Sequence, residues 1–293
     1  MDSTRRTRRR RTAAPPRTEL HLSRTPRVRT LLGLAAASVT VVALAACSSG
    51  APASNDAAAE NEYGLVKAGT LTVATEGTYR PFSFHDGGAG EVVGYDVEVA
   101  EAVAEKLGLE IEFQETQWDA IFAGLEAGRF DVIANQVSIN PEREEQYLFS
   151  EAYTVSPGVI VVKEGDTSIS GFGDLAGKTT AQSLTSNWYT LAQESGANVE
   201  AVEGWAQAVA LLQQGRVDAT INDKLTYLDD VKTNGQSGIE VAAETDDPSL
   251  SALAFTKDKT DLAAAVDAAL AELRAEGVLA ELGEKYFGED VSE

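Results

Sequence analysis

Polar groups suited to holding a small charged molecule are concentrated in two related stretches of this chain. The first, WDAIFAGLEAGRFDVIANQVSINPER, runs from Trp118 to Arg143, and the second, WAQAVALLQQGRVDATINDK, from Trp205 to Lys224. Laying Trp205 over Trp118 matches Gly128 with Gly215, Arg129 with Arg216, Asp131 with Asp218 and Asn135 with Asn222. The next positions are Gln136 and Asp223. Each stretch reads as an amphipathic helix stopped by glycine, then a short apolar strand, then polar side chains. In the first, Asn140-Pro141 opens another helix, with a capping residue before a proline at the first helical position. Backbone N–H groups from Ser138 to Glu142 leave that helix start unpaired and suit a carboxylate. Two similar α/β halves, each with polar groups at a strand end, imply a ligand held between them. Two unrelated units sharing one helix–glycine–strand order would imply the same ligand position.

Other chemistries lack their parts. Cys47 is the only cysteine, so no intramolecular disulfide can form. Of two histidines, His21 lies in the basic leader, and His85 sits beside Asp86-Gly87-Gly88 as a turn residue. Neither a zinc cluster nor an ordinary Ser/His or Cys/His nucleophile can be assembled, and no metal or cofactor is expected. The chain of 293 residues, 43% hydrophobic, can build one large or two medium domains. Residues 1–46 carry ten Lys/Arg and two Asp/Glu, which leaves −30 of charge on the remainder against −22 overall. So acidic a body repels nucleic acid and anionic membrane surfaces.

The leader has a basic region extending to Arg29, an apolar run from Leu31 to Ala46, and small residues at its end. That order is a secretory signal peptide, too short and Ala-rich for a membrane span. Leu44-Ala45-Ala46-Cys47 resembles a bacterial lipobox, in which the cysteine is lipidated and begins the mature protein. Ser48 to Asn61, rich in Ser, Ala and Pro, reads as a flexible tether. The expected domains are a signal peptide over 1–46 and a lipidated N-terminus with tether over 47–62. Lobe 1 is expected over 63–155 and 252–293, and lobe 2 over 156–251.

The elements that must position the polar groups follow in order. Thr70 to Thr75 alternates as a strand, and Glu76 to Phe82 is a loop around Gly77 and Pro81. Gly87, Gly88 and Gly90 mark a hairpin before Val92-Val93, and Asp96 is placed to cap a helix ended by Gly108. Phe130 to Ala134 reads as a buried parallel strand, Val159 to Val162 and Thr179 to Gln182 as further strands. Ser156-Pro157-Gly158 and the stretch Leu250 to Phe255 are where the chain is expected to cross between halves. Two amphipathic helices, Asp261 to Glu276 and Leu279 to Phe287, close the chain. This alternation argues a parallel-sheet α/β architecture with its ligand at the carboxyl ends of the strands.

Six ordered pieces, GTLTVATEGTYRPFSF, EVVGYDVEVAEAVAEKLG, WDAIFAGLEAGRFDVIANQVSINPER, LAGKTTAQSLTSNW, GRVDATIND and EGVLAELGEKYFG, together resemble one family. It is the polar amino-acid branch of the bacterial extracellular solute-binding proteins, family 3, that serve ABC importers. The resemblance implies an α/β, two-lobe, periplasmic-binding-protein-like type II fold, two α/β lobes joined by two hinge strands, with the ligand in the cleft. Carried over residue by residue, Arg143 matches the arginine that grips the ligand α-carboxylate, a bidentate partner by its geometry. Asp223 matches the acid that takes the α-ammonium. Gln136 and Ser138, after Asn135, match positions that assist the carboxylate, and Ser186 and Asn187 the turn of the other lobe. Relatives often have Gly-Thr where this chain has Thr185-Ser186, and aspartate where it has Glu76. Tyr79, Phe82 and Trp118 match the aromatic wall against the ligand side chain, whereas Trp188 and Trp205 are expected to be structural.

Read without the family, Arg143 is an exposed arginine on a polar helix, and Asp223 is open to being a helix cap or a partner of Lys224. Phe82 and Trp118 read equally as core. Within the branch, the run QWDAIFAGLEAGRFDVIANQVSINPER with TTAQSLTSNW is most similar to cystine-binding members. The implied protein is a monomeric lipoprotein at the outer face of the cell membrane that delivers an L-amino acid to ABC permease subunits. Two other readings share the fold. A dehydratase of prephenate-like substrates needs a general acid over the cleft, for which Glu76 is the candidate. An amino-acid sensor shares the binding chemistry without transport.

Overall fold

The computed structural model describes residues 61–235 and 238–293. The expected signal peptide, the Cys47 lipidation motif and all but the end of the tether lie outside the described residues. The first lobe begins with β1 (Thr70–Thr75), β2 (Thr78–Tyr79), β3 (Ser83–His85), β4 (Val92–Val93) and α1 (Tyr95–Leu107). Then come β5 (Glu110–Glu115), α2 (Trp118–Glu126), β6 (Val132–Ser138), α3 (Pro141–Gln146), β7 (Tyr147–Phe149) and β8 (Thr154–Ser156). The second lobe holds β9 (Gly158–Lys163), β10 (Thr179–Gln182), α4 (Asn187–Glu194), β11 (Asn198–Ala201) and α5 (Trp205–Gln213). It continues with β12 (Ala219–Asp223), α6 (Lys224–Asn234) and β13 (Ile239–Glu244). The chain then returns to the first lobe in β14 (Ser249–Thr256), α7 (Thr260–Ala275) and α8 (Val278–Phe287).

The first sheet has the order β5-β1-β6-β14-β7, with β8 also on β14; the second has β11-β10-β12-β9-β13. Each contains three parallel strands in the same second–first–third order. Neither is purely parallel, contrary to the sequence expectation. The chain changes lobes through Pro157 and again between β13 and β14, so β9 and β14 enter antiparallel to β12 and β6. Successive residues of β1 face opposite layers. Leu71 and Val73 pack with Val99 and Val103 of α1 and with Leu262 and Val266 of α7. Ala74 and Ile133 pack with Ile121 and Leu125 of α2. Each fully buried Leu, Ile or Val in these layers contributes roughly 1.5–3 kcal/mol.

The repeated stretches occupy equivalent places. In both, the helix beginning at tryptophan is followed by a left-handed glycine, Gly128 at φ 65° and Gly215 at φ 68°. Asp131 Oδ2 accepts the Thr72 backbone N–H at 3.0 Å, and Asp218 Oδ2 accepts that of Thr179 at 2.7 Å. Thr72 and Thr179 hold the same register in β1 and β10. The aspartates thus pin the central strand of each lobe to the strand beside it.

Two local readings are corrected. The strand expected over Phe130 to Ala134 is β6, which runs on through Asn135, Gln136 and Val137 because β14 pairs with it from the other side. Between Ile133–Ala254 and Val137–Ala252, β6 advances four residues while β14 advances two. Gln136, at φ 49°, lies in that bulge. The cap of α1 is Gly94 instead of Asp96. Gly94 has φ 138°, and a Cβ there would come 2.2 Å from the Phe82 carbonyl. Helices and strands that carry little periodicity, α6, β7, β11 and β13, were not legible as elements.

Asp131 is fully buried and also accepts from Val66 N and Lys259 Nζ, whereas Asp218 is half-buried. Asp131→Ala is expected to lower the unfolding free energy by about 2–4 kcal/mol and Asp218→Ala by about 1 kcal/mol in urea titrations. Equal losses would contradict the unequal burial of the two sites.

Candidate functional site

The carboxyl ends of the parallel strands meet in a cleft of about 630 Å³ of space free of atoms, partly open to solvent. From the first lobe Glu76, Tyr79, Trp118, Asn135 and Gln136 line it; from the second come Ser186 and Asn187. These are seven of the positions expected from sequence. Phe82 is instead fully buried behind Tyr79, ring centroids 5.0 Å apart, and packs against Phe287. Ser138, Arg143, Thr185 and Asp223 do not line it: Thr185 and Asp223 adjoin Ser186 and Asn222 in the chain, Arg143 lies over the Trp118 ring, and Ser138 is bonded to Arg143.

Arg143 is reached through the sequence signals at the start of α3. Asn140 caps that helix by accepting the Arg143 backbone N–H at 2.9 Å. Arg143 is 7% exposed, and its guanidinium lies 5.4 Å from the ring centres of both Trp118 and Phe122. Nη1 donates to the Ser138 carbonyl at 2.9 Å, and Nη2 crosses to the Thr185 carbonyl of the second lobe at 3.1 Å. Thr185 has φ 64°, the left-handed region that favours glycine. Burial lowers the guanidinium to about 10, an unusual value for arginine.

Asp223 ends β12 at the position matched to Gln136. Its Oδ1 accepts from Ser156 Oγ at 2.7 Å and from Leu225 N at 2.8 Å, the second bond capping α6. It is 4% exposed, and burial pushes its carboxyl up to about 6. Lys224 pairs with Glu244 instead, at 2.8 Å. Among the described residues, neither Arg143 nor Asp223 takes part in an ion pair.

Gln136 is held from behind. Asp96, fully buried, accepts Gln136 N at 2.7 Å and Nε2 at 2.6 Å, and Nε2 also donates to Thr154 Oγ1 at 3.1 Å. The amide oxygen of Gln136 is left without a partner. Asn135 Nδ2 donates to Glu76 Oε2 at 2.8 Å, while its oxygen accepts Glu76 N at 2.9 Å. Burial raises Glu76 to about 7 and Asp96 to about 7.

Sequence reasoning missed Asn222, Gln182, Ser183, Glu203 and the tryptophans of the second lobe, all of which line the cleft. Asn222 and Trp205 were available from the repeat, since they match Asn135 and Trp118. Trp188 fills the space over Gly158, where a Cβ would lie 2.4 Å from its ring, so it combines packing with lining. The lobes are joined across the cleft by Tyr79 OH donating to Asn222 Oδ1 at 2.9 Å and by Arg80 with Asp229 at 3.3 Å.

The model for bacterial extracellular solute-binding proteins, family 3, matches residues 71–289. The chain belongs to this family. It is 48% identical over 257 residues to the L-cystine-binding protein TcyA of Bacillus subtilis (strain 168), covering 87% of this chain and 96% of that one. The L-cystine solute receptor of Neisseria gonorrhoeae, in an unliganded open conformation, is 47% identical, covers 76% of this chain and 95% of its own, and superposes with a TM-score of 0.54. An ancestral arginine-binding protein bound to arginine is 35% identical over 75% of this chain and 99% of its own, with a TM-score of 0.70. The sequence that is less similar superposes better, and it is the liganded one.

Glu76, Asp96 and Asp223 hold protons in the folded state that the unfolded chain releases at ordinary carboxylate pH. Their contribution is therefore fully present below about pH 4 and is lost as pH rises through about 6 to 7. The melting temperature of the ligand-free protein is expected to fall by roughly 5 °C or more between about pH 5 and pH 8. In Asp96→Asn that fall is smaller; an unchanged slope would remove Asp96 from the explanation.

Proposed function

We propose that this protein is the substrate-binding component of an amino-acid ABC importer and that its ligand is L-cystine. One observation carries the reading: Arg143 and Asp223 are buried on opposite lobes, and no residue described supplies either with an opposite charge. Leaving such charges alone in a protein interior is costly, and a zwitterion supplies both partners at once. A ligand α-carboxylate would take the two-pronged guanidinium in place of the Thr185 carbonyl, and the α-ammonium would take Asp223. Ser138 and Ser186 stand beside the carboxylate end, and Tyr79 with Trp118 walls the side chain.

Because the two partners lie on different lobes, ligand contacts favour the closed arrangement over the open one, and closure excludes water that would screen them. The cystine assignment is supported by the names of the relatives, TcyA and the Neisseria gonorrhoeae receptor among them. The sheets support lobe 1 over 63–155 and 252–293 and lobe 2 over 156–251. The leader sequence supports secretion and a lipid on Cys47, which with the tether to residue 62 would keep a monomeric receptor beside its permease. The relatives are binding proteins of transporters, and the chain is no enzyme.

By calorimetry, Arg143→Ala is expected to weaken L-cystine binding at least about 100-fold with the circular-dichroism spectrum unchanged. Near-normal affinity in that variant would remove the carboxylate assignment. Asp223→Asn is expected to lose a similar factor, and N,N′-diacetyl-L-cystine to fail on the wild type. Binding of the acetylated compound as tight as that of cystine would show that Asp223 meets no ammonium.

A further inference from the structure

The cleft carries more unmet hydrogen-bonding capacity than one amino-acid head can use. Trp118 Nε1, Gln182 Nε2 and Trp205 Nε1 are buried N–H donors without an acceptor, and all three residues line it. Gln182 is only 3% exposed, at the end of β10, so its amide end has no compensating bulk water. Such orphaned donors each cost about 1–3 kcal/mol unless a ligand or an ordered water meets them. Two carboxylates line the same space, Glu76 from the first lobe and Glu203 from the second. Neither pairs with a lysine or arginine among the described residues. They repel each other across the cleft, and the charge on Glu203 helps hold the Glu76 proton.

This set discriminates among ligand side chains. A cationic side chain would satisfy the carboxylates and leave the donors unmet. An acidic one would take the donors and face two negative groups. An apolar one would satisfy neither. A side chain ending in both a carboxylate and an ammonium satisfies all of them, and specificity of this kind rests on what each wrong ligand leaves unpaired. We propose that Gln182, Glu203 and Trp205 form a second amino-acid-head subsite, with Gln182 and Trp205 donating to the far carboxylate and Glu203 facing the far ammonium. The proximal head remains with Arg143 and Asp223, so this subsite rests on the cystine reading and selects the disulfide-linked dimer over its monomer. The two α-carbons of a disulfide lie about 5–6 Å apart, and the cleft that Gln182, Glu203 and Trp205 line is partly open to solvent, so the second head need not be fully enclosed.

The test is calorimetry on the full chain with L-cystine and with S-methyl-L-cysteine, which keeps one head and the sulfur but lacks the second head. Glu203→Gln and Gln182→Leu are each expected to weaken L-cystine about tenfold while changing S-methyl-L-cysteine less than about twofold. Retained binding of the one-headed ligand also reports that each variant is folded. Equal losses for both ligands, or no loss for either, in a protein whose wild type binds L-cystine would overturn the second subsite and leave the transport reading standing. A wild type that does not bind L-cystine would overturn both.

Discussion

A charge buried in a protein interior needs a partner, and this molecule sets two opposite charges in two lobes without giving either one. Arg143 is held by carbonyls and aromatic rings, Asp223 by a serine hydroxyl and a helix start. Those groups fix direction but do not neutralise charge. Burial shifts both toward their neutral forms, the guanidinium down to about 10 and the carboxyl up to about 6. On the assignment proposed here, a ligand with both charges relieves both at once, and only while the lobes are together, so that binding and closure would be one event.

The duplicated frame explains how the two groups come to face each other. Asp131 and Asp218 each accept the backbone N–H of the matching residue on the neighbouring strand, and Asn135 and Asn222 lie at the cleft on the matching strands. The halves then part company. Gln136 bulges in β6 at φ 49° and is clamped by Asp96, whereas its counterpart Asp223 ends β12 as a helix cap. One lobe leads on to a cation seven residues past the glutamine, and the other stops at an anion. Symmetry supplies the frame, and the departure from it supplies the polarity.

Much of this was legible before any coordinates. Helix periodicity, glycine stops and the Asn140-Pro141 start placed α2, β6 and α3, because each depends on local residue types. Asp131 and Asp223 could be located from the repeat alone. What stayed hidden depends on partners distant in the chain. The antiparallel β9 and β14 follow from where the chain changes lobes, which no local pattern encodes. Phe82 resembles a wall residue by position, yet the packing of Tyr79 and Phe287 around it removes it from the cleft. Gln182 looks like an ordinary strand end, and only the fold shows its amide nitrogen buried without a partner.

Arg143 and Asp223 are proposed to meet opposite ends of one amino-acid head. A crystal structure of the complex with L-cystine tests it most directly. Both guanidinium prongs are expected within about 3 Å of an α-carboxylate, with the Nη2 bond to Thr185 given up, and Asp223 within about 3 Å of the α-ammonium of the same head. A ligand whose carboxylate lies on other groups, with Arg143 still bonded to Thr185, would contradict it.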